Sequence, residues 1–420
     1  MIDEKQAAVA RATESGMPDG WREVRFDEIA QLVNDRVDNP AEAGVERYVG
    51  LEHLDPESLK IRRWGAPTDV EAQKLRFQPG DIIFGKRRAY QRKVAVADFE
   101  GICSAHAMVL RAREENVVKE FLPFFMQSDT FFDRALSISV GSLSPTINWK
   151  TLADQKFALP PKDEQRRITD ILRAADEVVE KDVESQEALT QLQTVQTEHF
   201  LSTGMLGWHS RYVKTPIGSL PEPWQYLNGN DLFSEKPRNG LSPEANAEGA
   251  GYPTLSIGAI RDGQVVTEGN IKYAVIGQDE AEKFRLQKGD VLIVRGNGNR
   301  NLVGRCGVVD EVPTGCFYPD LLIRIKFDET KLRSRFACLQ WNSSTAHRRL
   351  LARAKSTNGI WKINGQDLRQ HILAVPPIDE QDAFLRTVEP YAKLTKQMQG
   401  KVNASRTLKQ RLVNSLISFN

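Results

Sequence analysis

The chain punctuates itself twice. Leu159-Pro160-Pro161-Lys162-Asp163-Glu164-Gln165 and Val375-Pro376-Pro377-Ile378-Asp379-Glu380-Gln381 each precede a long run of heptad-like spacing. Other echoes fall in the same order. Trp21 after Pro18-Asp19-Gly20 matches Trp224 after Pro221-Glu222-Pro223. The run from Leu75 through Gly80-Asp81 to Ile83 matches that from Phe284 through Gly289-Asp290 to Leu292. The offset, roughly 200 to 220 residues, far exceeds solenoid periods, so the repeat is a whole domain with a helical arm. A duplicated reader suits a two-part target.

At 420 residues the chain has room for two domains with cores of their own. No stretch reaches the roughly 18 consecutive apolar residues of a membrane span. The start, Met1-Ile2-Asp3-Glu4-Lys5, lacks the apolar core of a secretory signal. Cys103, Cys306, Cys316 and Cys338 form no Cys-x-x-Cys pair and read as reduced thiols of a cytoplasmic protein. The six histidines are scattered, which argues against a metal site. A net charge of +1 hides local separation. Between Lys60 and Lys93 ten bases (Lys60, Arg62, Arg63, Lys74, Arg76, Lys86, Arg87, Arg88, Arg92, Lys93) face only Asp69, Glu71 and Asp81, a footprint of about +7 for a polyanion.

The pattern predicts an α+β fold for each half. Residues 1–17 form a lead-in, 18–160 a first globular domain, 161–205 a central helix, 206–376 a second globular domain and 377–420 a terminal helix. Strands are expected at Asp81–Phe84, Lys93–Ala97, Asp290–Val294, Cys306–Val309 and Leu321–Ile325, with helices over Phe121–Ala135 and about Leu332–Ala354. The tandem prolines end each domain and send the chain outward, Asp163 and Asp379 serving as N-caps. Along the first arm the seam reads Ile168, Ile171/Leu172, Ala175, Val179, Val183, Leu189, Leu192, Val195 and Phe200. Along the second it reads Leu385, Val388, Tyr391, Leu394, Met398, Val402, Leu408, Leu412 and Leu416. Pro390 predicts a kink or break. Ten acids oppose four bases from Asp163 to Phe200, about −6, whereas seven bases oppose four acids from Asp379 to Leu416, about +3. The arms should therefore pair with each other as an antiparallel coiled coil with pseudo-two-fold symmetry.

This duplicated architecture, from about Pro18 to Leu416, resembles the specificity subunit of type I restriction–modification systems. The resemblance implies two target-recognition domains, each reading one half of a bipartite asymmetric DNA sequence. It implies spacer helices that dock two methyltransferase subunits, with translocase/endonuclease subunits joining the assembly. Partners would thus be double-stranded DNA and those subunits, with no membrane. No cofactor is expected in this chain; S-adenosylmethionine, ATP and Mg²⁺ would belong to the partner subunits.

Two loops in matching slots carry the donors that DNA requires. Lys86, Arg87, Arg88, Tyr90, Gln91, Arg92 and Lys93 join two strand-like runs in the first copy, and Arg295, Asn297, Asn299, Arg300, Asn301 and Arg305 do so in the second. Arginine can bind guanine O6/N7 in bidentate fashion and Gln can bind adenine N6/N7, while other cations hold phosphates. Further candidates precede each Pro-Pro boundary: Ser142, Ser144, Thr146 and Asn148, then Lys355, Thr357, Asn358, Trp361 and Lys362. The plain alternative for all of them is a solvated loop.

Catalytic motifs fail on inspection. Gly80-Asp81-Ile82-Ile83-Phe84-Gly85-Lys86 imitates a phosphate loop, but Arg87 stands where Ser or Thr should hold Mg²⁺. Pro319-Asp320 with Arg324-Ile325-Lys326 imitates a nuclease core but puts Arg324 where an oxygen ligand is needed. The Pro-Pro pairs follow Leu159 and Val375 rather than the Asn of an amino-methyltransferase tetrad. The chain reads as non-catalytic. A coiled-coil scaffold and a self-contained endonuclease are the alternatives.

Overall fold

The structure, a computed structural model, describes residues 17–141, 144–246, 249–261, 263–357 and 359–417. The predicted lead-in (Met1 to Gly16), Ser142 and Asn358 lie outside them. The chain divides into two compact units, residues 1–185 with 398–420, and residues 186–397. Each is mixed helix and strand.

In the first unit the strands Ala30–Val33, Met108–Ala112, Ile82–Phe84 and Val94–Val96 form an antiparallel sheet in that order. A second sheet orders Arg36–Val37, Lys74–Phe77, Gly101–Ser104 and Tyr48–Val49. The strand Arg22–Arg25, just after Trp21, pairs with Lys156–Leu159, so the domain's own two ends close it. An aromatic core including Phe26, Phe84, Phe125, Phe131 and Phe157 lies beneath, with Phe125 and Phe157 edge to face at 5.2 Å.

The second unit repeats this grammar with additions. Leu322–Ile325, Val291–Val294 and Cys306–Val308 stand in the order of Met108–Ala112, Ile82–Phe84 and Val94–Val96, within a six-stranded sheet. Gln225–Asn228 after Trp224 pairs with Ile372–Val375, closing this domain as the first is closed. The predicted strands therefore form with ends trimmed by about one residue.

Two predicted helices are broken at the same place. Phe121–Ala135 is two helices, Phe121–Phe125 and Asp129–Ser137, because Ser128 is extended and its Oγ accepts the Phe131 N–H at 3.2 Å. Leu332–Ala354 is Ser334–Asn342 and Ser344–Leu351, parted by extended Ser343, whose Oγ accepts the Ala346 N–H at 3.3 Å. Ser128-Asp129-Thr130 and Ser343-Ser344-Thr345 are N-cap sequences inside apolar runs, and the cap overrides the run.

The boundary repeat has a mechanical explanation. The two prolines fill the gap between the last strand of each domain and the helices Lys162–Thr203 and Ile378–Ile417. The helices begin one residue before Asp163 and Asp379, so these carboxylates sit in the first turn beside the positive helix end rather than at the cap. The glutamine is the clamp. Gln165 Nε2 donates to the Pro160 carbonyl at 2.8 Å while its Oε1 accepts the Val118 N–H at 2.7 Å. Gln381 repeats this with the Pro376 carbonyl at 2.8 Å and the Arg333 N–H at 2.9 Å. Both glutamines are buried.

The helices pack together antiparallel within each unit. In the first, Lys409 Nζ donates to Asp176 at 2.6 Å, Lys401 meets Asp182 at 2.8 Å, and Val179 and Val183 enclose Val402. In the second, Phe200 stacks on Phe384 at 3.9 Å, and Gln196 reaches the Tyr391 hydroxyl at 3.1 Å. Two expectations change. Toward the end of the second helix the buried positions are Val402, Lys409, Val413 and Ile417, while Leu408 is exposed, so the seam runs one residue later than the apolar pattern. The amine of Lys409 finds both Asp176 and the Glu57 carbonyl, which makes a lysine the better seam residue there. Ile378–Ile417 also continues through Pro390 without interruption. The proline removes one intrahelical donor, and the rest of the helix tolerates that loss.

Candidate nucleic-acid interface

The sequence places donors in two separate stretches of each copy, and the structure joins them. In the first unit the hairpin loop between Ile82–Phe84 and Val94–Val96 lies along the segment before the Pro-Pro boundary. Arg88 N–H donates to the Pro145 carbonyl at 2.8 Å, Ile147 N–H to the Lys86 carbonyl at 3.0 Å, and Arg87 bridges Thr146. In the second unit Gly296–Asn297 pairs with Ile360–Lys362, which pairs with Lys355–Thr357. Both units thus lay the same hairpin loop against the same late segment and present one edge of donors.

Within that edge the side chains divide. Arg87 is exposed, its Nη1 3.0 Å from His106 Nε2. Arg88 is exposed with left-handed backbone (φ 55°), a conformation uncommon for residues other than glycine, and its Nε is 3.4 Å from Ser144 Oγ. Thr146 Oγ1 donates to the Ser144 carbonyl at 3.2 Å, and Asn148 is exposed ahead of the helix Trp149–Ala153. Tyr90 and Gln91 border a cavity of about 540 Å³ shared with Glu52, Asp55 and Glu57. Burial lowers the Lys86 amine.

Arg92 and Lys93 are held by the fold. Arg92 donates to Asp129 at 2.6 Å and to the Gln127 carbonyl at 2.8 Å, lying over the Phe132 ring. Lys93 Nζ donates to the Leu51 carbonyl at 2.6 Å. The rest of the basic window is engaged too: Lys60 with Glu184, Arg62 with Glu180, Arg63 with Asp55, Lys74 with the Ala72 carbonyl, and Arg76 with the Ala43 carbonyl. These bases are thus held to the fold, whereas the side chains of Arg87 and Arg88 meet His106 and Ser144 at the exposed edge. It also follows that the acids of the first helix serve its own domain as well as the second helix.

In the second unit Arg295 Nη1 donates to the Asp320 carbonyl at 3.1 Å and Arg305 to the Asn342 carbonyl at 2.6 Å, so both brace the hairpin. Asn297 and Asn299 use their carbonyl oxygens to accept N–H groups of Asn299 and Asn301, at 2.8 and 3.0 Å, which shapes the loop tip. Arg300 is exposed, its guanidinium 4.7 Å from the Trp361 ring centre. Asn301, Lys355, Thr357 and Lys362 are exposed beside it.

The nuclease-like sequence dissolves. Arg324 and Lys326 surround buried Asp290 at 3.8 and 3.9 Å and also meet Glu235, while Asp320 accepts the Ser242 hydroxyl. Among the described residues no group of three or more His, Cys, Asp or Glu could hold a metal ion, and no helix is long and apolar enough to cross a membrane. Sequence reasoning missed His106, having set the histidines aside together; its place two residues before the strand Met108–Ala112, which pairs with the hairpin, was the available signal.

The family described as type I restriction modification DNA specificity domain matches residues 18–191 and again 221–404, one match on each copy of the repeat. The chain is 25% identical over 368 residues to the type I restriction enzyme EcoKI specificity subunit of Escherichia coli (strain K12), covering 84% of this chain and 76% of that one. It is 22% identical to the StySPI specificity subunit of Salmonella potsdam, covering 96% and 88%. The solved type I restriction–modification S subunit from M. genitalium is 13% identical, covers 95% of this chain and 96% of that chain, and superposes with a TM-score of 0.46. The chain belongs to the type I restriction–modification specificity family and is a DNA-recognition subunit.

Proposed function

We propose that each unit reads one half of a bipartite DNA target through the edge formed by its hairpin loop and pre-boundary segment. The observation that carries this reading is that both units assemble that edge in the same slot with different side chains. Arg87 and Arg88 serve the first half; Arg300 on Trp361, Asn301, Lys355, Thr357 and Lys362 serve the second. Direct base readout is the task of the arginines and Asn301, with the lysines on phosphates. The paired helices dock two methyltransferase subunits, a role favoured by aliphatic side chains left exposed on them, Ile171 and Val178 in the first unit, Leu192, Val195 and Leu394 in the second. Methyl transfer with S-adenosylmethionine, and ATP- and Mg²⁺-dependent translocation and cleavage, belong to partner subunits in the cytoplasm.

Replacing Arg87 and Arg88 together by alanine should abolish or relax recognition of one half-site. Assembly with methyltransferase subunits and the thermal midpoint should stay unchanged. The readout is a genome-wide map of methylated bases with and without the variant gene. Failed assembly would make the loop structural, and an unaltered motif would remove it from recognition.

A further inference from the structure

The Arg87–His106 contact contains more than an exposed arginine. A guanidinium has only donors, so at 3.0 Å the His106 Nε2 must be the acceptor and the ring must carry its proton on Nδ1. His106 enters this position from the turn that leads into Met108–Ala112, where its backbone carbonyl also accepts the Arg87 N–H at 3.3 Å and its own N–H donates to Ser104 Oγ at 3.2 Å. The arginine is therefore tied at backbone and at guanidinium to the same residue. The charged groups facing the imidazole are all cations: Arg87 and Lys86 from the hairpin loop, and Lys74 from Lys74–Phe77. Partial burial and then these three cations hold its pKa below the ordinary histidine value, so the accepting form prevails near neutrality.

The second unit solves the equivalent problem without a histidine. Arg295 leaves the matching central strand and is held by Asp320, through its carbonyl at 3.1 Å and its carboxylate at 3.7 Å, also two residues before the neighbouring strand Leu322–Ile325. The nearer of these acceptors, the backbone carbonyl, has no proton to gain. The exposed Arg300 rests on the face of Trp361, which does not titrate either.

We propose that His106 is a positioning residue for sequence readout: its neutral imidazole fixes the orientation of the Arg87 guanidinium, and its protonation releases that arginine and relaxes recognition of one half of the target only. A protonated ring would present a second donor and a second positive charge to Arg87, turning the contact from attraction to repulsion. The second half, read by the other unit, has no such dependence. The inference rests on the assignment of the hairpin edge to DNA.

The test uses the full chain assembled with methyltransferase subunits and a library of randomised duplex DNA, selected at about pH 8 and again at about pH 5, on either side of the histidine range. Base preference is read at each position. Wild type should lose about tenfold in preference at a position in one half-site on acidification, the scale of one bidentate base contact, and keep the other half. His106→Gln retains an acceptor oxygen that does not titrate in this range and should keep the preference at both pH values. His106→Phe should lack it at both. The second half-site in the same molecules reports whether each variant remains folded and bound. Preference retained by His106→Phe, or the same acid response in wild type and His106→Gln, overturns the clamp. Arg87→Ala separates the two layers: loss of the half-site with normal His106 variants sinks the clamp alone, whereas recognition intact in Arg87→Ala sinks the DNA assignment of the loop and the clamp with it.

Discussion

At the scale of residues, side chains of one type in one loop divide by what the fold leaves within reach. Arg87 and Arg92 lie five positions apart, yet one meets an imidazole at the surface and the other an acid, a carbonyl and a ring. Arg92→Ala should therefore destabilise the first unit by about 1–3 kcal/mol without changing the bases read, because it strips a donor from the Gln127 carbonyl and from the turn before Asp129. Chemical denaturation beside a binding assay would separate the two arginines, and lost base preference without lost stability would reverse their assignment. The clamp glutamines were visible in the sequence as a repeat, but their partners were not. Gln165→Leu leaves the half-buried Val118 N–H without its side-chain acceptor and should cost about 1–3 kcal/mol, measured as a lower denaturation midpoint. Gln381→Leu should do the same through the Arg333 N–H. A neutral result for either would mean that water replaces the amide.

At the scale of elements, the arms show how polar groups decide a register that apolar periodicity only outlines. The spacing made Leu408 a seam residue; the structure buries Lys409 and exposes Leu408. Lys409→Met would leave Asp176 and the Glu57 carbonyl without their shared donor, at a cost of about 3 kcal/mol. An equally stable variant in thermal unfolding would show that the lysine merely fills the position. Asp182 gives the pairing an acid limit. The hydrogen bond from Lys401, aided by the Ser405 hydroxyl, holds its carboxyl below the usual range. A carboxyl depressed in the folded state contributes fully above its unfolded value near about pH 4 and loses that contribution as pH falls through the folded value. The stability difference between wild type and Asp182→Asn should thus narrow as pH drops below about 4; a constant difference would argue that the ion pair adds nothing.

At the scale of the whole molecule, duplication with divergence is the organising fact. Both units share the central hairpin, the strand pairing that closes the domain, the broken helix and the glutamine clamp, while the residues on the hairpin edge differ. Exchanging residues 216–374 for another recognition domain should accordingly alter one half of the methylated motif. A change in both halves would end the two-reader account. The sequence by itself determined the repeat, the α+β character, the positions of the main strands, the two arms and their opposite charge, because periodicity, proline and charge are local or additive properties of the chain. Only the tertiary structure decided which of the basic residues remain at the surface, that Ser144 and Thr146 stand beside Arg87 and Arg88, that Trp361 lies under Arg300, and that His106 holds Arg87. Those outcomes depend on pairings between distant segments, where each cation takes the nearest acid or carbonyl that the packed backbone presents, and no spacing along the sequence encodes that choice.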